Sequence, residues 1–184
     1  MGKIYEALDD KLQAFIEKQK MFFVATAPLS QDGLVNLSPK GLQGTFQILG
    51  PTTVAYLDFV GSGIETVAHL RQNGRMTVMF CAFDGPPKIL RLYGRGQAIE
   101  PSDPEFEDLV QRFPEFLGIR SVIRLEVERI ADACGFAVPL MSYEEDRRQL
   151  TDYAERKGPE GLKTYQEEKN RLSLDGLPGL IGPL

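Results

Sequence analysis

One histidine and two cysteines stand among the 184 residues, and each scarcity closes off a class of chemistry. With His69 as the only histidine, most histidine-rich metal sites and catalytic-triad chemistry are excluded by simple shortage. Cys81 and Cys134 are too few for a disulfide framework or for a zinc site made of cysteine pairs. Basic residues number 21 against 26 acidic ones, a net charge of −5, which argues against non-specific nucleic-acid binding as the main task. No apolar run approaches the ~20 residues that span a bilayer, and the chain begins without a signal-peptide apolar segment. A cytoplasmic protein with no membrane or nucleic-acid partner is the expectation.

What is present is ordinary for a folded chain: 42% hydrophobic and 26% charged residues, with no low-complexity tract and no internal repeat. The length suits one domain with a proper core. Residues 3–20 read as an amphipathic helix, with Ile4, Ala7, Leu8, Leu12, Phe15 and Ile16 in one stripe. Residues 21–27 are apolar on both faces and predict a strand; Ser30-Gln-Asp-Gly33 predicts a hairpin turn. The returning strand alternates, Val35, Leu37 and Pro39 against Asn36, Ser38 and Lys40. That polar row either faces water, as one side of an antiparallel sheet commonly does, or lines a ligand cleft.

The stretch 54–74 carries the most information. Val54 to Phe59 is β-prone except for Asp58, a Gly-Ser-Gly turn follows, and Ile64, Val67, Ala68 and Arg71 recur at helical spacing up to Asn73-Gly74. Unpaired N–H groups at the start of such a helix, around Gly63 to Thr66, suit a phosphate. Ser62 and Glu65 are also spaced as a capping box, which explains the same residues with no ligand.

A further strand is predicted over 75–83, where Cys81 reads as a buried small hydrophobe and not a nucleophile. In the next, 88–100, Leu90, Leu92, Gly94, Gly96 and Ala98 oppose Arg91, Tyr93, Arg95 and Gln97. Its polar row is either solvated or set to bind an anionic, planar ligand, and the glycines suggest a bulge or a close backbone approach. After a short helix within 101–113, capped by Ser102 or Asp103, residues 118–130 form the cleanest half-buried strand. Ser121, Ile123, Leu125 and Val127 oppose Arg124, Glu126 and Glu128. Five or six mostly antiparallel strands with short helices between them fit a small closed barrel. Beyond residue 132 the composition shifts. A second capping box, Ser142 with Glu145, predicts a helix over 143–157, and Gly158-Pro159 separates it from another over 160–172, with Glu144–Arg148 and Glu167–Arg171 as supporting pairs. The tail 174–184 is apolar with Gly and Pro and is expected to lie across another surface, a second subunit being one candidate.

In this order the segments Phe22-Phe-Val-Ala-Thr26, Val35-Asn-Leu-Ser-Pro-Lys-Gly41, 54–74, Met76 to Phe83 and Leu90-Arg-Leu-Tyr-Gly-Arg-Gly96 resemble the pyridoxamine 5'-phosphate oxidase-like family of FMN-binding split barrels. The resemblance covers about residues 20–100, and the closing segments 133–139 and 173–179 look like a branch with its own helical C-terminus. It implies a mainly β fold: a six-stranded antiparallel split barrel over 1–132, with an N-terminal helix, and a helical extension over 133–184. It implies a homodimer holding FMN at the subunit interface. The flavin-binding residues it implies are Asn36, Ser38 and Lys40 on one strand, Asp58 and Phe59 beside the ring, Ser62, Gly63 and Thr66 at the phosphate, and Arg91 and Arg95. The family's phosphate turn has a Ser-Arg-Lys run, whereas Gly61-Ser-Gly-Ile-Glu-Thr66 has no basic residue, so Lys40, Arg75, Arg91 and Arg95 are the candidates for the missing charge. The chain also lacks the tryptophan that the oxidase has at the flavin and the C-terminal Arg–His pair with which it reads pyridoxamine phosphate; His69 reads as a helix-surface residue. The expectation is a flavin-dependent oxidoreductase with an unidentified small substrate. A deazaflavin-dependent reductase and a non-catalytic flavin-binding or sensing module are the alternatives.

Overall fold

The strand that organises the molecule is the longest alternating one, Ile119–Ala133 (β8), because three others pair with it. In the computed structural model, which describes residues 2–183, the elements run Ile4–Tyr5 (β1), Asp10–Lys18 (α1), Phe22–Thr26 (β2), Asn36–Lys40 (β3), Phe46–Gly50 (β4), Thr53–Phe59 (β5), Glu65–Asn73 (α2), Arg75–Cys81 (β6), Ile89–Ile99 (β7), Phe106–Val110 (α3), β8 and Gln149–Lys169 (α4). The strands form one antiparallel eight-stranded sheet in the order β3-β2-β6-β7-β8-β5-β4, with β1 added to β8. The mainly antiparallel β architecture with flanking helices is the expected one, with more strands than six. The ladder runs open from β3 to β4 and does not close, so the sheet is a split barrel.

The sheet curls because β7 and β8 slip register between Tyr93 and Gly94. A Cβ on Gly94 would lie 1.9 Å from the Glu126 carbonyl oxygen, so only glycine admits that approach. Inside the curl, α1 lays Leu12 and Ile16, with Leu8 just ahead of the helix, against Phe22, Val24, Val78, Leu90, Leu92 and Ile123. Four rings, Phe22, Phe46, Tyr56 and Phe80, meet in the middle at centroid separations of 5.0 to 5.7 Å. On the other face of the sheet α3 brings Phe106, with Phe113 beyond its end, over Ala55, Leu57, Ile99 and Val122.

Several local expectations are corrected. Helix α1 starts at Asp10 and not at residue 3, because the Asp9 carboxylate caps the Leu12 N–H at 2.9 Å and Ile4–Tyr5 pairs with Ile130 and Ala131. Neither Ser102 nor Asp103 caps α3, whose N-cap position is Glu105; Asp103 instead accepts the Glu100 N–H at 2.7 Å. The Ser142/Glu145 box does not form either. Residues 141–148 are irregular, α4 begins at Gln149 with no side-chain cap, and its two parts meet at Gly158. Arg148 pairs with Asp152 at 3.7 Å, and Arg171 donates to the carbonyls of Leu180 and Gly182. The tail lies on its own chain: Leu180 is buried in the main core, and Glu100 accepts the Ile181 and Gly182 N–H groups.

Candidate functional site

The open side of the sheet bounds a cleft of about 1010 Å³, at the top of the range for small-molecule pockets. The polar row of β3 is on its wall: Asn36, Ser38 and Lys40 all line it, together with Phe59 at the end of β5 and Gly61, Gly63, Glu65 and Thr66 of the turn into α2. The opposite wall comes from the C-terminal extension, including Met141, Tyr143, Arg147 and Leu150. The cleft reading of β3 is therefore the one the fold supports, and its apolar partners Val35 and Leu37 are the exposed ones, at 74% and 65%.

Each member of that row is held. Ser38 donates to the Asn36 side-chain oxygen at 2.8 Å, and the Asn36 amide donates to the hydroxyls of Thr26 at 3.1 Å and Thr66 at 3.0 Å. The Thr26 hydroxyl lies 3.0 Å from His69 Nδ1. This corrects the surface placement of His69, which is 0% exposed because the barrel covers one side of α2 and the tail the other. Burial pushes its pKa below the ordinary value, which the nearby carboxylates of Asp175 and Glu65 oppose. Cys81 is buried as expected, and burial pushes its thiol up.

Beneath the row is a buried charge cluster. Asp58 is fully enclosed; its carboxylate accepts from Lys40 Nζ at 3.2 Å, from Arg120 Nε at 2.6 Å and from the Ser121 hydroxyl at 3.2 Å. Burial alone would raise its pKa, but the charges and hydrogen bonds of Arg120 and Lys40 outweigh it and hold the carboxyl below its ordinary value. Two cations share one carboxylate, so the cluster carries a formal charge of +1 at the cleft wall. Asp58 is thus spent on structure and is a support for Lys40.

The turn has a defined hydrogen-bond pattern. Arg120 donates to the carbonyl oxygens of Gly61 at 3.1 Å and Gly63 at 2.6 Å. The expected Ser62–Glu65 box is absent: no side chain caps α2, and Glu65 instead accepts the Leu174 N–H of the tail at 3.2 Å. The first bond of the helical ladder is Ala68 N–H to Ile64, 3.0 Å, so the N–H groups of Glu65, Thr66 and Val67 have no partner within the helix. Glu65 and Thr66 line the cleft. Ser62 is exposed and is not among the lining residues.

The remaining candidates lie elsewhere in the chain. Arg91 and Arg95 are on the face of β7 opposite to the buried Leu90 and Leu92; Arg95 meets Glu128 at 3.4 Å on the surface. Arg75 bonds the Asn73 side chain and the Pro28 carbonyl. None of the three lines the cleft. The basic group missed in the sequence is Arg120. Strict alternation would set Arg120 on the Arg124 face, but β5 and β8 slip register at this residue, and Arg120 reaches Asp58, the cross-strand partner of Ser121. Among the described residues, no group of three or more His, Cys, Asp and Glu is placed to hold a metal, and no helix is long and apolar enough to cross a membrane.

Known proteins place this architecture. Residues 8–134 match the family model described as pyridoxamine 5'-phosphate oxidase. The chain is similar to the pyridoxamine 5'-phosphate oxidase family protein ustO of Aspergillus flavus, 43% identical over 196 aligned positions that cover 98% of this chain and 78% of the relative. Among solved structures it resembles HupZ of group A Streptococcus, with a TM-score of 0.55 and 18% identity over 73% of this chain and 98% of that one. A point variant of HupZ gives the same TM-score at 19% identity, over 68% and 99%. At those identities the HupZ likeness speaks for the fold alone. With the family model matched across most of its length and a relative at 43% identity, the chain belongs to the pyridoxamine 5'-phosphate oxidase family.

Proposed function

We propose that the chain binds FMN in this cleft and acts as a flavin-dependent oxidoreductase on a small substrate, as a homodimer. The observation that carries the reading is the uncapped start of α2, whose partnerless N–H groups open on the cleft wall beside a cluster of net charge +1. Helix N–H donors and a cation in one place suit a phosphate dianion. The residues present fit the cofactor. Gly63, Glu65 N–H and Thr66 would hold the phosphate end, and Asn36, Ser38 and Lys40 would face its polar ring edge. Phe59 would supply an apolar contact to the ring. A bound flavin supplies hydride transfer at its N5 atom. The chain's own part is to orient the ring, exclude water with residues 141–150, and offer Lys40 as a fixed positive charge.

An absorption spectrum of the protein as purified tests this directly. The expected result is a flavin spectrum, or, for protein purified empty, stabilisation by added FMN of about 2.7 kcal/mol at a hundredfold excess over Kd. Colourless protein whose melting temperature ignores FMN overturns the reading. A deazaflavin would show in the spectrum of the extracted cofactor. Reduction by nicotinamide donors without air separates an enzyme from a binding module.

A further inference from the structure

The C-terminal extension reaches the back of the α2 turn through one side chain. Asn170, fully buried just past the end of α4, donates from its amide to the Gly61 carbonyl oxygen at 2.8 Å. Its own side-chain oxygen is buried without a hydrogen-bond partner. Its backbone carbonyl accepts the Leu180 N–H at 2.9 Å, so the tail folds back over it. Gly179 lets the tail through: a Cβ there would sit 2.3 Å from the Asn170 carbonyl oxygen and 2.7 Å from Ile64. The tail also holds Glu65, whose carboxylate is turned to the Leu174 N–H. The contacts to Gly61, Ile64 and Glu65 are all made to the turn or to the first residue of α2, and Asn170 itself does not line the cleft.

We propose that Asn170 is a positioning residue for the anion-binding turn at 61–66, and that the C-terminal extension sets the affinity of this chain for phosphorylated ligands. The proposal rests on the phosphate reading above. The physical argument is one of peptide geometry. A planar trans peptide points its N–H opposite to its C=O. Fixing the Gly61 carbonyl on Asn170 and Arg120, and the Gly63 carbonyl on Arg120, therefore fixes where the Ser62 and Ile64 N–H groups point. It also fixes the entry of the chain into α2 and hence the direction of its free donors. A turn rich in glycine has little stiffness of its own. A buried polar side chain with one unsatisfied oxygen is costly, and its amide is used on this turn.

The test compares FMN with riboflavin, which has the same ring and no phosphate, using quenching of flavin fluorescence in the full chain. Asn170→Ala removes the donor. Asn170→Leu removes the donor and the unsatisfied oxygen while keeping the branched shape and filling the site, and serves if the alanine variant does not fold. The expected result is a loss of roughly tenfold or more in FMN affinity, with riboflavin affinity unchanged within about twofold. Parallel loss of both ligands shows a general scaffold role and overturns the proposal, as does unchanged FMN affinity in folded Asn170→Leu protein. If the wild type binds neither flavin, the flavin reading fails on its own. The proposal is then scored with inorganic phosphate by thermal shift: stabilisation of the wild type and not of Asn170→Leu supports it, and equal stabilisation overturns it.

Discussion

Strands β3 and β7 carry the same kind of pattern and use it in opposite senses. In β7 Leu90, Leu92, Gly94 and Gly96 of the apolar row are buried, and the polar row, Arg91, Tyr93, Arg95 and Gln97, is on the opposite face. In β3 the polar row faces inward to the cleft and the apolar row is exposed. The difference is what lies beneath. Under β3 a buried carboxylate, itself held by a buried guanidinium, anchors Lys40, and a chain of hydroxyls and amides anchors Asn36 and Ser38. On the outer face of β7 the polar contacts are exposed ones: Arg95 meets Glu128 and donates to the Asn73 carbonyl, and Gln97 accepts from Arg124. Alternation alone states that a strand has two faces; a polar face backed by its own buried polar network is the one turned to a ligand.

The largest effect expected from this contrast is on stability. Asp58→Ala leaves Arg120 buried with no carboxylate and is expected to cost about 3–5 kcal/mol in urea unfolding. Glu128→Ala removes only an exposed partner and is expected to stay within about 0.5 kcal/mol. Equal effects would abolish the distinction between the two rows. The same carboxylate gives a pH signature. Because the folded pKa of Asp58 lies below its ordinary 3.8, its contribution is present above that value and is lost as pH falls through the folded pKa. Wild-type stability should therefore fall as the pH drops below about 4, and Asp58→Asn should flatten that part of the curve.

A smaller effect is expected on binding. Lys40→Ala leaves the Asp58–Arg120 pair intact and takes the cluster from +1 to neutral. FMN affinity is expected to fall about 10- to 100-fold, the worth of a hydrogen bond to a charged group, with little loss of stability. Arg91→Ala, outside the cleft of its own chain, is expected to leave affinity within about twofold. A loss for Arg91→Ala comparable to that for Lys40→Ala would mean that a second copy brings its outer β7 face to the cofactor.

The strands were legible because apolar and alternating runs survive translation into sheet: those expected at 21–27, 54–59, 88–100 and 118–130 all became strands. What could not be read was which face is covered, since that depends on residues far along the chain. Glu65 looks like half of a capping box until Leu174, 109 positions away, takes its carboxylate. His69 looks like a surface residue until the tail closes over α2. Strict alternation would put Arg120 with Arg124, Glu126 and Glu128, yet the β5–β8 register slips at Arg120, and its guanidinium meets Asp58 beside Ser121. The polar residues Asn36, Ser38, Lys40, Asp58, Thr66 and Arg120, on the cleft wall or beneath it, come from three separate strands and one helix. Long-range assembly decides such a site, and single-strand patterns can only nominate its parts.

The smallest expected effect concerns the exposed side of β3, and it asks whether the inversion is complete. Leu37 is 65% exposed in the single chain, so replacing it with serine should change stability by no more than about 0.5 kcal/mol if that surface faces water. Exposed apolar rows of this kind also mark association surfaces. If a second copy covers Val35 and Leu37, Leu37→Ser will shift sedimentation toward the monomer while leaving the monomer's own unfolding unchanged. β3 is then a strand buried on both sides, by a cofactor within and a partner without. Unchanged sedimentation with unchanged stability would leave the apolar row in water, and the homodimer would have to form through some other face.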